Sequence, residues 1–552
     1  MIRKIFVNLR PLLLGGCRLG HPPVRFPIRF IQLLNFGTFM SRRVLYTVSM
    51  LYLWLPTAIF LVGWAYWWVA LLPVLLGLWA CIWPFRHVGG RVEFASLWRE
   101  VLIAALVMLW VVSAGIGGYM WQDPPDHIFR NAVFKDLVYN PWPVITGGQM
   151  LDYYFGFWLP SAVVAKLSHS LELGYLCQAL YAAGGIWLGL RMMYEYAGRV
   201  TFRTLWVLFL FGGFDAMGVA IYSNFFPDMR FEFWRNMWGY SPAGFTSPNI
   251  ALMGFVFHSY IPSFLATMMI LTRPAKGYAP AVLALMSISS PIAAFSMLPI
   301  TVWMLIQEMS ECSGIAAKLR ILFSPINVSS VIIIIPVAAY LSINNAGGHV
   351  GWYPAGEGPE VLQRIKMIVH ILIIIILQMV VWLPVLWSQI KRMPQFWLLF
   401  VPSCVAFFIQ VGYSADFGSR MQLAVQTFLT LQVAVFVGSW SLRPVRVRRA
   451  FAVVSLLCFV STGWEIGRRV HHGLTVPRNE WRVMQLPNVF VENRCTANFT
   501  ADASRWHLGP NDVSSPRLDD FFRRHPECRL YSRDYYWEPL EEDNKKMLNI
   551  YE

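Results

Sequence analysis

The residues best equipped for chemistry are carboxylates and guanidinium groups in short polar stretches between long apolar runs. One stretch reads Trp121-Gln122-Asp123-Pro124-Pro125-Asp126-His127-Ile128-Phe129-Arg130-Asn131-Ala132-Val133-Phe134-Lys135-Asp136-Leu137. Asp126, Arg130 and Val133 are spaced so that a helix would bring an acid and a base to one face. A carboxylate partly withdrawn from water there is suited to accept a proton from a hydroxyl during group transfer. The plainer alternative is an amphipathic surface helix with a solvated charged face. Asp215 follows Phe211-Gly212-Gly213-Phe214 inside apolar sequence. A carboxylate at membrane depth costs roughly 2.5–3.5 kcal/mol and faces a cavity or a partner. His258 lies in an apolar run beside Ser259 and Tyr260, either as a packing residue or as part of a site. Glu232, between Phe231 and Phe233-Trp234, reads as an interfacial anchor or a cavity residue. Asp416 and Arg420 stand four apart at the mouth of a span, either as a helix-end pair or as a cation held for phosphate.

These residues must be positioned by membrane helices. Of 552 residues, 57% are hydrophobic and 14% charged, and the mean hydropathy is +0.49. Ordinary soluble domains carry roughly a quarter charged residues, so a soluble fold is excluded. Apolar runs near 44–63, 66–84, 100–119, 172–190, 204–222, 249–270, 279–290, 293–307, 329–343, 367–390, 395–413, 421–440 and 450–466 predict an all-α polytopic bundle. That makes about 13 transmembrane helices for a hydrocarbon core of roughly 30 Å. The formal charge of +15 does not imply nucleic-acid binding. The basic residues sit in short connectors such as Arg42/Arg43, Arg273/Lys276, Lys318/Arg320 and Arg443/Arg446, which fall on one side and mark it as cytoplasmic.

The expected organisation has three parts. Residues 1–43 form a basic cytoplasmic arm, with Met40 as an alternative start. Residues 44–466 form the bundle, with outward loops at 120–150, 223–248, 344–366 and 412–420. Residues 467–552 form a small polar extracytoplasmic segment. The expected address is the cytoplasmic (inner) membrane, multi-pass, with the C-terminus periplasmic. This sidedness requires that 141–169 not cross fully, so it is read as an interfacial or re-entrant helix, its aromatic residues suiting the headgroup level. Ser289-Ser290-Pro291 divides 279–307 into two half-length spans. Cys81, Cys177, Cys404 and Cys458 fall in apolar runs, whereas Cys495 and Cys528 are a disulfide candidate in an oxidising compartment. No cysteine pair has metal-ligand spacing. No Walker loop, G-x-S-x-G elbow or dinucleotide fingerprint is present, which argues against ATP-driven and hydride chemistry. No cofactor is predicted, and a divalent metal stays open.

Taken in order, Asp126 to Leu137, Pro141-Trp142-Pro143 and Tyr153-Tyr154-Phe155-Gly156-Phe157-Trp158-Leu159-Pro160 resemble the first outer loop of GT-C-type integral membrane glycosyltransferases, and more closely a bacterial branch of them. Phe211-Gly212-Gly213-Phe214-Asp215, Glu232-Phe233-Trp234, Tyr240-Ser241, His258, Ser289-Ser290-Pro291 and Asp416-Phe417-Gly418-Ser419-Arg420 resemble further segments of that branch. The resemblance implies a GT-C-like bundle and a polyprenyl-phosphate-linked sugar donor used at the periplasmic face, with an acceptor it leaves unspecified. It makes Asp126 the candidate base, with Asp123 as the fallback. Arg130, Asn131, Asp215, Glu232, His258, Asp416 and Arg420 become candidates for binding substrate or phosphate, with Arg364 a further phosphate neighbour. The branch has Lys-His where this chain has Phe129-Arg130, so a histidine in that place is missing. The competing expectation is a transporter or flippase of a lipid-linked substrate, motivated by the intramembrane Asp215 and His258. A third is a non-catalytic envelope component.

Overall fold

The computed structural model describes residues 39–93, 97–122, 124–146, 148–198, 202–214, 217, 256–345, 350–352, 361–412, 416–478, 481–482 and 500–511. After strand β1 (Phe39–Ser41), helices α1 (Arg42–Trp64) and α2 (Trp67–Ile82) run antiparallel. Strand β2 (Arg91–Glu93) returns to pair with β1, Met40 facing Val92. The start of α1 therefore lies at one end of the bundle, called here the basal face. Helix α3 (Leu97–Ser113) climbs away from it and stops before Gly115 and Gly117, each at φ 81°. Residues with a Cβ rarely adopt that conformation.

The opposite, apical face carries α4 (Pro124–Tyr139), the hairpin of β3 (Ile145–Thr146) and β4 (Gln149–Leu151), and α5 (Leu159–Ser168). Helix α6 (Leu171–Ala197) descends from it. Glu172 at its top bonds Arg482, and Glu195 near its foot pairs with Arg42 at 2.5 Å. Near the foot, the fully buried Arg191 forms an ion pair with Glu100 of α3. Lipid offers little hydrophobic drive between helices, so close packing has to hold them together. Gly189 shows the device: a Cβ there would meet the Phe264 ring at 2.4 Å.

Helix α7 (Phe202–Leu210) precedes a gap in the description, after which α8 (Phe257–Thr272) runs buried to the basal face. Helices α9 (Ala279–Met286), α10 (Pro291–Ser296) and α11 (Leu298–Ser310) form a hairpin. Both its feet are basal, where Gly277 N–H donates to Glu308 at 2.9 Å and Lys276 pairs with Glu311 at 2.5 Å. At its apex the Ser290 and Ser259 hydroxyls are 2.5 Å apart. Helix α12 (Ile315–Leu322) has no buried residue. Helix α13 (Pro325–Ser342), capped by Ser324, rises to the apical face, where the Tyr340 hydroxyl donates to the Leu151 carbonyl.

Strand β5 (Val350–Trp352) pairs with β6 (Ile409–Val411), and α14 (Val361–Gln378), α15 (Leu383–Ile390) and α16 (Pro394–Ala406) lie between them. Helices α17 (Asp416–Met421), α18 (Leu423–Gly438) and α19 (Val445–Thr475) complete the bundle. Strand β7 (Thr500–Asp502) then adds to β4, giving the order β3-β4-β7. Beyond it, the Trp506 indole N–H donates to the Trp64 carbonyl at 2.8 Å, and Tyr66 N–H donates to the Leu508 carbonyl at 2.9 Å. Residues 500–511 thus form a strap over the apical face.

The protein is mostly helical, and among the described residues seven helical stretches are long and apolar enough to cross a membrane. The sequence predicts about 13 crossings, and the differences have local causes. The run 100–119 is cut at Ser113 by the glycine turn, and 395–413 gives a 13-residue α16 followed by a strand. Among the described residues of the run 204–222, α7 ends at Leu210. Within 141–169 the longest helix is α5 with 10 residues, about 15 Å of rise and half a crossing. Two expected loops contain helix, α4 within 120–150 and most of α17 within 412–420, and α19 continues to Thr475, past the expected boundary at 467.

Candidate functional site

Four elements converge under the apical face. Helix α4 opens on Pro124-Pro125, residues suited to a first helical turn, and carries Arg130 and Asn131 inward, 6% and 3% exposed. The chain leaving β4 brings in Tyr153, the first turn of α8 brings His258, and α17 brings Ser419 and Arg420, all buried.

Arg130 Nη1 donates to the Tyr153 hydroxyl at 2.7 Å, and that oxygen lies 3.2 Å from His258 Nε2. A guanidinium can only donate. The Tyr153 oxygen therefore accepts from Arg130, and the histidine tautomer decides whether the phenol or the imidazole donates in the contact with Nε2. The Arg130 and Arg420 guanidinium groups both act electrostatically on this imidazole, and Arg420 Nη1 also donates to Ser419 Oγ at 2.8 Å. Two guanidinium groups beside one imidazole and one phenol form a site with anion-binding character. Its walls are aromatic: Trp158 and Tyr154 stack on His258 with centroids 4.7 and 5.4 Å away. Asn131 has a different task. Its Nδ2 donates to Gln122 Oε1 at 2.8 Å and Gln122 Nε2 donates to the Gly115 carbonyl at 2.9 Å, which ties α4 to the turn ending α3.

A lateral apolar groove of about 880 Å³ lies between α9–α11 and α13. Pro291 and Phe295 of α10 line its upper part, Leu322 and Phe323 its foot. Phe295 also approaches Phe417 at 6.4 Å, so α10 is a wall shared by the groove and the element carrying Arg420.

Next to Tyr153, the Asp152 carboxyl is fully buried, and neither oxygen has a hydrogen-bond partner of ordinary geometry. Burial holds its pKa well above the usual carboxylate range, with partial relief from Asn344 and Arg505. The Asn344 amide donates to the Asp152 main-chain oxygen at 3.0 Å.

Of the residues singled out in the sequence, Arg130, His258 and Arg420 are brought together, with Asn131 at the edge. Asp126 lies on α4 one turn before Arg130, and Asp416 lies on α17 one turn before Arg420; their side chains, and Asp123, Asp215, Glu232, Cys495 and Cys528, lie outside the described residues. Arg364 is exposed on α14. Sequence reasoning missed Tyr153 and Asp152 as individual residues. The signal for Tyr153 was its place in a run of aromatic residues, which marks an interface without saying which ring reaches a partner. Among the described residues no group of His, Cys, Asp or Glu has a metal-binding arrangement, and Cys81, Cys177 and Cys404 are free thiols. Compared with known protein families, curated proteins and solved structures, the chain matches none.

Proposed function

We propose that this protein is a GT-C-type glycosyltransferase that moves a sugar from a polyprenyl-phosphate donor to an envelope acceptor at the periplasmic face. The observation that carries the reading is the buried chain from Arg130 through the Tyr153 hydroxyl to His258, with the charge of the buried Arg420, from a distant stretch of chain, felt at the same imidazole. In this reading the two guanidinium groups hold the donor phosphate and its tail enters the upper part of the groove beside α10. Residues 141–169 lie at the outer interface, and the N-terminus is cytoplasmic.

Asp126 takes the proton from the acceptor hydroxyl. The oxygen attacks the anomeric carbon, the bond from that carbon to the phosphate oxygen breaks, and the phosphate leaves with the electron pair. Arg130 and Arg420 stabilise the charge that develops on it. His258 is linked to Arg130 through the Tyr153 hydroxyl.

A second reading, a transporter of a lipid-linked substrate, is favoured by a polar seam. From Arg420 the buried residues Gln422, Gln426, Thr430 and Gln432 follow α18 downward, and Gln389 joins Gln432 to Arg443 near the basal end. One experiment separates the readings: proteoliposomes given a radiolabelled polyprenyl-phosphate hexose and an envelope extract as acceptor. Transfer should occur and fall by roughly 100-fold or more in Asp126→Asn, the scale of a lost general base. Full transfer in Asp123→Asn/Asp126→Asn ends the mechanism, and donor movement across the bilayer without bond cleavage favours the transporter.

A further inference from the structure

The foot of the groove has features the transferase reading does not use. Helix α12 exposes Ile315, Leu319 and Leu322, followed by Phe323. At 100° per residue these share one face, flanked by Lys318 on one side and Arg320 on the other. Neither cation makes a salt bridge or side-chain hydrogen bond among the described residues, and both are exposed. A short helix of this kind suits a headgroup layer, with its apolar face in the acyl region and its cations level with phosphates.

Leu322 and Phe323 belong at once to this face and to the groove, so the cations stand at the groove mouth. Inside the groove four polar residues interrupt an otherwise apolar lining, and two of them, Ser287 and Ser330, donate their hydroxyls to the Leu283 and Ile326 carbonyls one turn back. Thr301 and Asn327 are 6% and 8% exposed, and the Thr301 hydroxyl and the Asn327 amide oxygen have no hydrogen-bond partner. The Asn327 nitrogen is committed to α12, donating to the Ile321 carbonyl at 2.8 Å, so its oxygen is the atom left for a ligand. Unsatisfied buried polar atoms are costly, and a ligand with an acceptor and a donor at matching depth removes that cost.

We infer that the foot of the groove is a binding site for one anionic glycerophospholipid of the basal leaflet. Lys318 and Arg320, on the two flanks of the face, draw its anionic headgroup to the groove mouth, and Thr301 donates to an acyl-ester carbonyl. Asn327 accepts from a headgroup hydroxyl, and one acyl chain lies along α13. This site does not depend on the transferase reading. It favours a hydroxylated anionic headgroup such as phosphoglycerol over a choline headgroup, which has no hydroxyl to donate and no net charge.

The test uses the full chain in proteoliposomes doped with phosphatidylglycerol carrying a photoreactive acyl chain, or phosphatidylcholine with the same chain. Adducts are mapped by peptide mass spectrometry. Phosphatidylglycerol should label the segments around 298–305 and 322–331 roughly tenfold more than phosphatidylcholine does. Lys318→Ala/Arg320→Ala should remove the preference. Thr301→Val, which keeps the shape, should lower labelling by both lipids, because both carry the acyl ester, and should leave the preference for phosphatidylglycerol in place. Equal labelling by the two lipids, or a preference that survives the double substitution, overturns the assignment.

Discussion

Trp506 offers the sharpest test of how the apical face is held. The ring is 1% exposed, meets Tyr340 edge-on at 5.7 Å, and donates to the Trp64 carbonyl at 2.8 Å. It is the main apolar anchor of a strap whose other ties include the β4–β7 pairing, Asn345 N–H to the Thr500 carbonyl, Ala503 N–H to the Gly148 carbonyl, and Tyr66 N–H to the Leu508 carbonyl. Trp506→Phe removes the indole hydrogen bond and leaves most of the packing. The expected cost is about 1 kcal/mol, or roughly fivefold faster local opening. Trp506→Ala also empties the aromatic pocket, at about 3–5 kcal/mol, or roughly 10²- to 10³-fold faster opening. Hydrogen exchange of the full chain in lipid nanodiscs reads this directly, in peptides covering 500–511 and 145–151. Both should exchange faster together, because β7 is a neighbour of β4, while the apolar interior of α8 stays protected. Unchanged exchange in Trp506→Ala would show that the strap is held by its backbone pairing alone, and the reasoning from burial would be refuted.

Three further outcomes follow from the same geometry. Asp152 keeps its proton to higher pH when buried than when exposed, so the folded hairpin binds more protons. Its stability is greatest below the ordinary carboxylate range and falls as pH rises through the elevated value. Exchange of residues 145–151 should therefore quicken with rising pH, and Asp152→Asn should flatten that dependence; a parental slope that persists in the variant refutes the assignment. Removing one partner of the buried Arg191–Glu100 pair strands the other charge. Arg191→Met should lower unfolding stability by about 3–5 kcal/mol, and adding Glu100→Gln should recover part of it, as read by denaturant titration in detergent micelles. Tyr153→Phe removes the hydroxyl linking Arg130 to His258, so the imidazole titration seen by NMR of labelled histidine should shift, whereas an unmoved titration shows that the two groups are not coupled.

The sequence carried information at two scales and lost it between them. Short-range spacing was legible: Asp126 and Arg130 do lie four apart on one helix, and Ser289-Ser290-Pro291 does interrupt a helical run. Bulk hydropathy was legible too, since it identifies a bundle of apolar helices. Where each helix stops was less so, because hydropathy averages over single residues that stop a helix. Gly115 and Gly117 end α3 by backbone conformation, and neither lowers the apolar character of the run 100–119. The contact from Tyr153 to His258 was hidden for another reason. It joins residues 105 positions apart, and only the return of α8 to the apical face puts them within reach. The docking of residues 506–508 on Trp64 and Tyr66 was illegible on the same grounds.

The α9–α11 hairpin bears on how this chain is threaded. Because Gly277 and Glu308 touch at its feet while Ser290 reaches Ser259 at its tip, the segment leaves and re-enters through one surface. It adds zero to the parity of crossings. Reporter enzymes inserted at Ala275 and at Ser313 must then light up in the same compartment, and whatever side the first helix chooses is handed on intact to α13 and everything after it.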